Sequence, residues 1–479
     1  MRFRIGLAAA ALTFLPASLA LAQDQGTATP DVAALLQRIE EQEQRLRVLE
    51  RKLELQQEVA TTATATAPVV RATPNRFSFQ SADGANSIRL RGVLNFDGRR
   101  FDDDITAATA DTFLLRRARP IVEGTIANLY DFRFTPDFAS GRTVIQDAWV
   151  AARFRTWAVV TAGKFKVPVG LERLQSASDI RFVERGFPTG MLPNRDLGVQ
   201  IGGDVAGGLL NYSFGYFNGV TDGGSSEGNP TPDLESDAKG DIAARVFFQP
   251  FLSSDNFALR GFGVGVSGTY VDSTGSATNP LLPSYRTPGQ QTAFSYRSSV
   301  AAAGTTPAVN GTFADGERIR WSPQFFYYLK NFGVLGEYAN VSQDVSRVVG
   351  ATTLSDTLDN TAWQLQFTWA VTGEDESFRG IVPGSNFEVG KPGRGAWELV
   401  ARMQELSIDD AAFAGGASSF SNPLTAARKA KALGVGVNWY LSQSVRWMLN
   451  YERTEFDGGA ATGDRPDEEA LLTRIAVAF

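Results

Sequence analysis

Arg116-Arg117-Ala118-Arg119 places three guanidinium groups within four residues, and Lys164 and Lys166 follow two positions apart. On an extended chain alternate side chains share a face, so the arginine cluster presents cations on both sides of a strand. A guanidinium is planar and offers parallel donors to phosphate, sulfate or carboxylate, and rings of fixed cations in a narrow passage concentrate anions and exclude cations. Arg181 and Arg185 fall on a long connection after Lys166, Arg286 and Arg297 on a second one, and Arg318 and Arg320 alternate on a later strand. Arg89, Arg91, Arg133, Arg245, Arg402 and Arg446 sit on the polar faces of other alternating segments, with Asp97, Asp137, Glu398 and Glu452 among them. The surplus is positive but mixed. Anion recognition and mutual neutralisation across a lumen weigh evenly on pattern alone.

Other chemistries are poorly served. The chain has no cysteine and no histidine, which removes Ser-His and Cys-His nucleophile pairs, histidine metal sites and disulfides. No paired-carboxylate motif stands out, so an enzyme is disfavoured, and no cofactor or metal is expected. A formal net charge of −6 argues against nucleic acid as a partner. Residues 1–22 have the parts of a secretory signal: Arg2 and Arg4, an apolar run over 5–15, and Ala20-Leu21-Ala22 before Gln23.

The elements that must position these cations are strands. The last residues, from Leu471 to Phe479, alternate strictly, and about sixteen segments from Ile88 onward repeat that pattern. No internal run is long and apolar enough for a membrane helix, whereas a membrane strand needs only about ten residues if its edges close in a barrel. On the first strand Ile88, Leu90, Leu94 and Phe96 are expected to face lipid, with Arg89, Arg91, Asn95 and Asp97 facing inward. Tight turns such as Ala206-Gly207-Gly208 and Ser442-Gln443-Ser444 alternate with long connections over 167–196, 221–239, 274–316 and 409–431. An even strand number places both ends in the periplasm. The stretch 373–395 is long where a periplasmic turn belongs, which puts the local count in question.

Before the barrel, residues 31–59 predict a helix with Val32, Leu35, Ile39, Leu46, Leu49 and Leu53 at 3-4 spacing. An isolated helix of this length is marginal in water, which favours a short periplasmic coiled coil over a single helix lying at the rim. Residues 60–76 read as a linker and 77–479 as the barrel. The expected fold is an all-β transmembrane barrel of about 16 antiparallel strands with an N-terminal periplasmic α-helical coiled coil.

A terminal aromatic on the last strand resembles the end of bacterial outer-membrane barrels, where it is an assembly signal read by the barrel assembly machinery; here that residue is Phe479. Gly163-Lys164-Phe165-Lys166-Val167-Pro168, Phe182-Val183-Glu184-Arg185, Ser284-Tyr285-Arg286-Thr287-Pro288-Gly289, Gly395-Ala396-Trp397-Glu398-Leu399 and Val437-Asn438-Trp439-Tyr440 resemble the phosphate-selective porin family of trimeric outer-membrane channels. The resemblance implies a homotrimer in outer-membrane lipid of a Gram-negative cell. It also implies a third loop (167–196) folded into the lumen and a fifth loop (274–316) carrying Arg286 and Arg297 in an arginine ladder. Arg116 and Arg117 match the paired arginines beside the family's phosphate site, and Lys164 and Lys166 lie on the strand feeding the constriction. Phosphate or polyphosphate is then the expected solute. The alternatives are a general or weakly selective porin for small hydrophilic solutes, and an envelope tether whose coiled coil contacts the cell wall.

Overall fold

The computed structural model describes residues 32–73, 76–102, 111–139, 141–226, 239–300 and 310–479; the expected signal segment lies outside them. Residues 68–479 form one compact unit, and the preceding stretch a second. In the latter, Val32–Thr66 is one α-helix. The linker expected over 60–76 is therefore corrected. The helix continues through the Ala/Thr run as far as Thr66. The β-branched Val69 and Val70 then open a strand, Val69–Thr73, paired antiparallel with Arg76–Gln80.

The barrel has sixteen antiparallel strands, the expected number. It starts at Ser87–Phe101 and closes where Glu468–Ala478 pairs back onto that first strand, from Ala470 opposite Phe101 to Ala478 opposite Val93. Closure leaves no strand edge unpaired in lipid, where bare N–H and C=O groups are costly. Below the end of the last strand, Phe77–Gln80 takes over the first strand's edge at Ser87–Leu90. Phe479 sits at that junction. Its backbone exchanges hydrogen bonds with Gly92 (3.0 and 3.2 Å), and its ring meets Phe77 edge-on at 6.0 Å. A Cβ on residue 92 would lie 2.6 Å from the Phe479 ring, so a larger residue here would push that ring aside.

Facing follows the alternation. Ile88, Leu90, Leu94 and Phe96 are exposed on the outer wall, while Asn95 and Asp97 are fully buried inside. Stacked aromatics at the turn-side ends, Phe332 on Trp369 (5.8 Å) and Trp397 on Trp439 (5.0 Å), form part of an interfacial girdle. Three successive strands, Thr312–Leu329, Phe332–Val349 and Thr352–Ala370, run 18 or 19 residues, well beyond what crossing requires. They rise past the membrane to a two-residue turn at Gly350-Ala351.

The apolar core lies inside the barrel. Val167, Val169, Phe187, Met191 and Leu192 of the third loop pack with Tyr285, Phe294 and Tyr296 of the fifth and with Phe413 and Phe420 of the seventh, residues 408–426. The long stretch 373–395 does not disturb the strand count. It folds back to the third loop: Arg181 bonds to Glu376 and the Ser377 carbonyl, and Gln175 to the Phe378 carbonyl.

Candidate functional site

The third loop, 167–194, leaves the strand Ala158–Lys166 and returns at Arg195–Val205. Its backbone donors are met by polar groups of the opposite wall. Glu337 accepts from Leu171 (2.7 Å), Ser267 from Gly170 (2.9 Å), Asn450 from Val183 (2.7 Å) and Gln404 from Phe187 (2.8 Å). A buried N–H without a partner is costly, so these contacts fix the loop against the later strands and leave an opening beside the first six. Gly170 has φ +81°, and a Cβ there would lie 2.8 Å from Glu337 Oε1, so the loop's first bend depends on glycine.

One class of lumen cation is neutralised by carboxylates. Glu184 on the loop takes Arg99 and Arg116 at 2.7 Å each and lies 3.9 Å from Arg474, which itself holds Asp97 through two contacts of 2.6 Å. Burial alone would raise the Glu184 carboxyl, but Arg116, Arg474 and Arg117 hold it well below the usual range. Arg181 is paired with Glu398 (2.6 Å) and Glu376 (3.1 Å). Arg320 is paired with Asp222 (2.7 Å) and Asp241 (3.1 Å), and Arg119 with Asp137 (2.6 Å).

A second class is bound to backbone carbonyls. Lys166 Nζ donates to the Gln175 carbonyl at 2.7 Å, and Arg185 donates to the carbonyls of Gln175 (2.9 Å) and Glu172 (3.2 Å). Arg173 donates to the carbonyls of Thr189 and Leu192. Among the described residues none of these three has a carboxylate within ion-pair distance. The Glu172 carboxylate is already engaged by the Gly186 N–H, Thr189 and Gln364. Burial, then repulsion within the cluster including Arg195, pushes Arg173 down to about 9 and Arg185 to about 10; both stay cationic at neutral pH. Opposite them Arg195 is held by Asp147 at 2.9 Å. Glu123 alone serves Arg133 (2.6 Å), Arg89 (3.2 Å) and Arg91 (3.6 Å). Lys166, Arg195, Arg119, Arg133 and Arg91 line a cavity of about 430 Å³ between the first six strands and the loop.

Of the cations singled out from sequence, Lys166 and Arg185 meet at the Gln175 carbonyl of the third loop. Arg116 binds the loop through Glu184, and Arg117 is buried in the wall behind it, 3% exposed, with the Asn95 side-chain oxygen accepting at 2.9 Å. Lys164 is buried and does not line the cavity. Arg181, Arg318 and Arg320 are buried beside carboxylates. In the fifth loop Arg286 lies on a short hairpin, Ser284–Arg286 with Thr292–Ser295, and donates to the Gln290 carbonyl (2.9 Å). Arg297 donates to the carbonyls of Ser419 and Gly416 (both 3.0 Å), tying that loop to the seventh. Sequence reasoning missed Arg195. Its signal was its place at the loop's return, directly across the ladder from Lys166.

A channel wall of this kind has counterparts among known proteins. The chain is 22% identical over 436 residues to Porin O of Pseudomonas aeruginosa, covering 88% of this chain and 94% of that one. Its fold is similar to that of OmpT expressed in the outer membrane of Vibrio cholerae, with a TM-score of 0.52 at 11% identity, covering 86% of this chain and all of the other. The sequence profile of phosphate-selective porin O and P matches residues 88–479, the whole closed barrel. The chain belongs to that family of outer-membrane porins.

Proposed function

We propose that this porin is an anion-selective diffusion channel and that phosphate or polyphosphate is the solute it serves best. The observation that carries the reading is the carbonyl-bound cluster of Lys166, Arg173 and Arg185, none of which has a described carboxylate within ion-pair distance. Such charges raise the local concentration of anions and repel cations. Phosphate draws further support from the family description and from its chemistry, since it accepts more hydrogen bonds than chloride. The competing reading, a weakly selective porin for small hydrophilic solutes, is favoured by the pairing of Arg195, Arg119 and Arg116 with Asp147, Asp137 and Glu184.

The barrel is further proposed to assemble as a homotrimer, with Phe479 read by the barrel assembly machinery. The helix Val32–Thr66 exposes Leu35, Ile39, Leu46, Leu49 and Leu53, a seam suited to a coiled coil between copies. Contact of that coil with the cell wall remains a role to test by deleting residues 31–59. A tether loses envelope integrity on that deletion, and a channel keeps its conductance. The deciding experiment is a reversal potential across a salt gradient in a planar bilayer, followed by phosphate titration of the chloride current. A reversal potential of the cation-selective sign refutes the anion channel. Chloride current indifferent to millimolar phosphate refutes the phosphate preference.

A further inference from the structure

The cavity beside the constriction has a second chemical character that a passage for inorganic anions does not need. Among the cations stand Val93, Ile121, Trp149, Val159 and Leu174, which line the same 430 Å³ space. Trp149 lies on the strand Val144–Arg155, next but one to Asp147 on the lumen face, while its neighbour Val150 is exposed on the outer wall. The indole is half-buried and packs against the interior apolar cluster, and the Arg133 guanidinium lies 5.7 Å from its ring centroid. An indole on a pore wall is an unusual use of apolar surface, because phosphate and chloride gain nothing from it and lose hydration beside it. A solute with an apolar body gains from it directly.

Resting on the anion-channel reading and extending it, we propose that this cavity is a binding site for organic anions that combine a carboxylate with an aromatic or branched apolar body. The carboxylate would be taken by the cations on one side, where Arg133 and Arg91 share the carboxylate of Glu123 and Lys166 has, among the described residues, a carbonyl as its hydrogen-bond partner. The body would lie along Trp149 and Ile121. Arginine and indole side by side suit such a solute, since the guanidinium can meet the carboxylate while the ring stacks on the indole.

The test uses the full-length protein in planar bilayers, with acetate, benzoate and benzyl alcohol as blockers of chloride current at neutral pH. Benzoate should block at a concentration roughly threefold to tenfold below acetate, the range expected for one added aromatic contact. Trp149→Ala should bring the benzoate-to-acetate ratio close to one, and Trp149→Phe should restore most of it. Should Trp149→Ala fail to reach the membrane, Ile121→Thr permits the same comparison and should lower the ratio. Equal block by benzoate and acetate in the wild type, or a ratio unmoved in these variants, overturns the proposal. Benzyl alcohol blocking as well as benzoate also overturns it, because the carboxylate is then not being read. Each of these results leaves the anion channel standing, whereas a cation-selective reversal potential removes that reading independently.

Discussion

Replacing Lys166 by glutamine removes one positive charge from the constriction while keeping a side chain able to donate to the Gln175 carbonyl. The ammonium has only that carbonyl as a described hydrogen-bond partner, at 2.7 Å, so its field is not cancelled by a contacting carboxylate. A solute ion passing about 4 Å away feels roughly 1 kcal/mol from a unit charge at the dielectric of water. That energy lowers the local chloride concentration by about fivefold and raises potassium by the same factor on removal of the charge. The chloride-to-potassium permeability ratio should therefore fall by up to about 25-fold at low ionic strength. Arg173, Arg185 and Arg195 remain, so selectivity should weaken and not invert. The effect should shrink as salt rises, since the screening length drops from about 10 Å at 0.1 M to about 3 Å at 1 M. Reversal potentials for both proteins across a fixed gradient, repeated at several mean salt concentrations, measure this directly. Identical reversal potentials at the lowest salt would mean that Lys166 puts no charge on the conducting path, and its place in the anion-selective cluster would fall.

Three further outcomes follow from the same structure. Phe479→Ser removes the ring from Phe77 and Gly92 at the barrel seam, and should lower the amount of heat-modifiable folded protein in the outer membrane; undiminished levels would show that the terminal ring is not used in assembly. Arg185→Ala, and to a lesser degree Arg185→Lys, should weaken phosphate block, each lost charge-assisted hydrogen bond costing about 1.5–3 kcal/mol; unchanged block would exclude Arg185 from phosphate binding. Glu376 is pushed up to about 8 by burial and by Glu398, from 4.5 when free, so docking of 373–395 is fully favoured below about 4.5 and is lost as pH rises through about 8. Open-channel noise should rise between about pH 5 and 8 in the wild type, level off above that, and stay flat in Glu376→Gln; equal pH responses would discard this attribution.

The barrel was legible because its rule is local. Period-2 alternation needs only neighbouring residues, and the facing of Ile88 through Asp97 follows from it strand by strand. The length of 373–395 was visible but its meaning was not, because the Glu376 and Ser377 contacts join it to Arg181 almost two hundred residues earlier in the chain. The same limit applies to the cations. Alternation correctly turned Arg318 and Arg320 inward, yet what each meets there depends on strands closing across the whole chain. Arg474 meets Asp97 from 377 residues away. The helix end was missed for a different reason: Ala and Thr are common in linkers, and the low helix propensity of Thr gave no sign that the helix runs on to Thr66.

What separates a conducting cation from a structural one is therefore its partner. Among the described residues Arg181, Arg320, Arg402 and Arg474 are the largest fully buried side chains, and each is met by at least one carboxylate. Breaking such a buried pair typically costs about 3–5 kcal/mol, because the remaining charge is left in a poor solvent. Their substitution should register as lost folding before it registers as altered selectivity. The loop cations are placed differently. Arg173 and Arg185 lean on carbonyl dipoles, which fix their geometry without cancelling their charge. The carboxylate-paired arginines hold the third loop and the wall in place, and this rigidity allows a few carbonyl-bound cations to stay concentrated beside a narrow opening. An inward arginine is thus a poor guide to solute choice until its counter-charge is known. Glu184 illustrates the point: it binds Arg99 and Arg116 and so sets both the position of the loop and the net charge left for the solute.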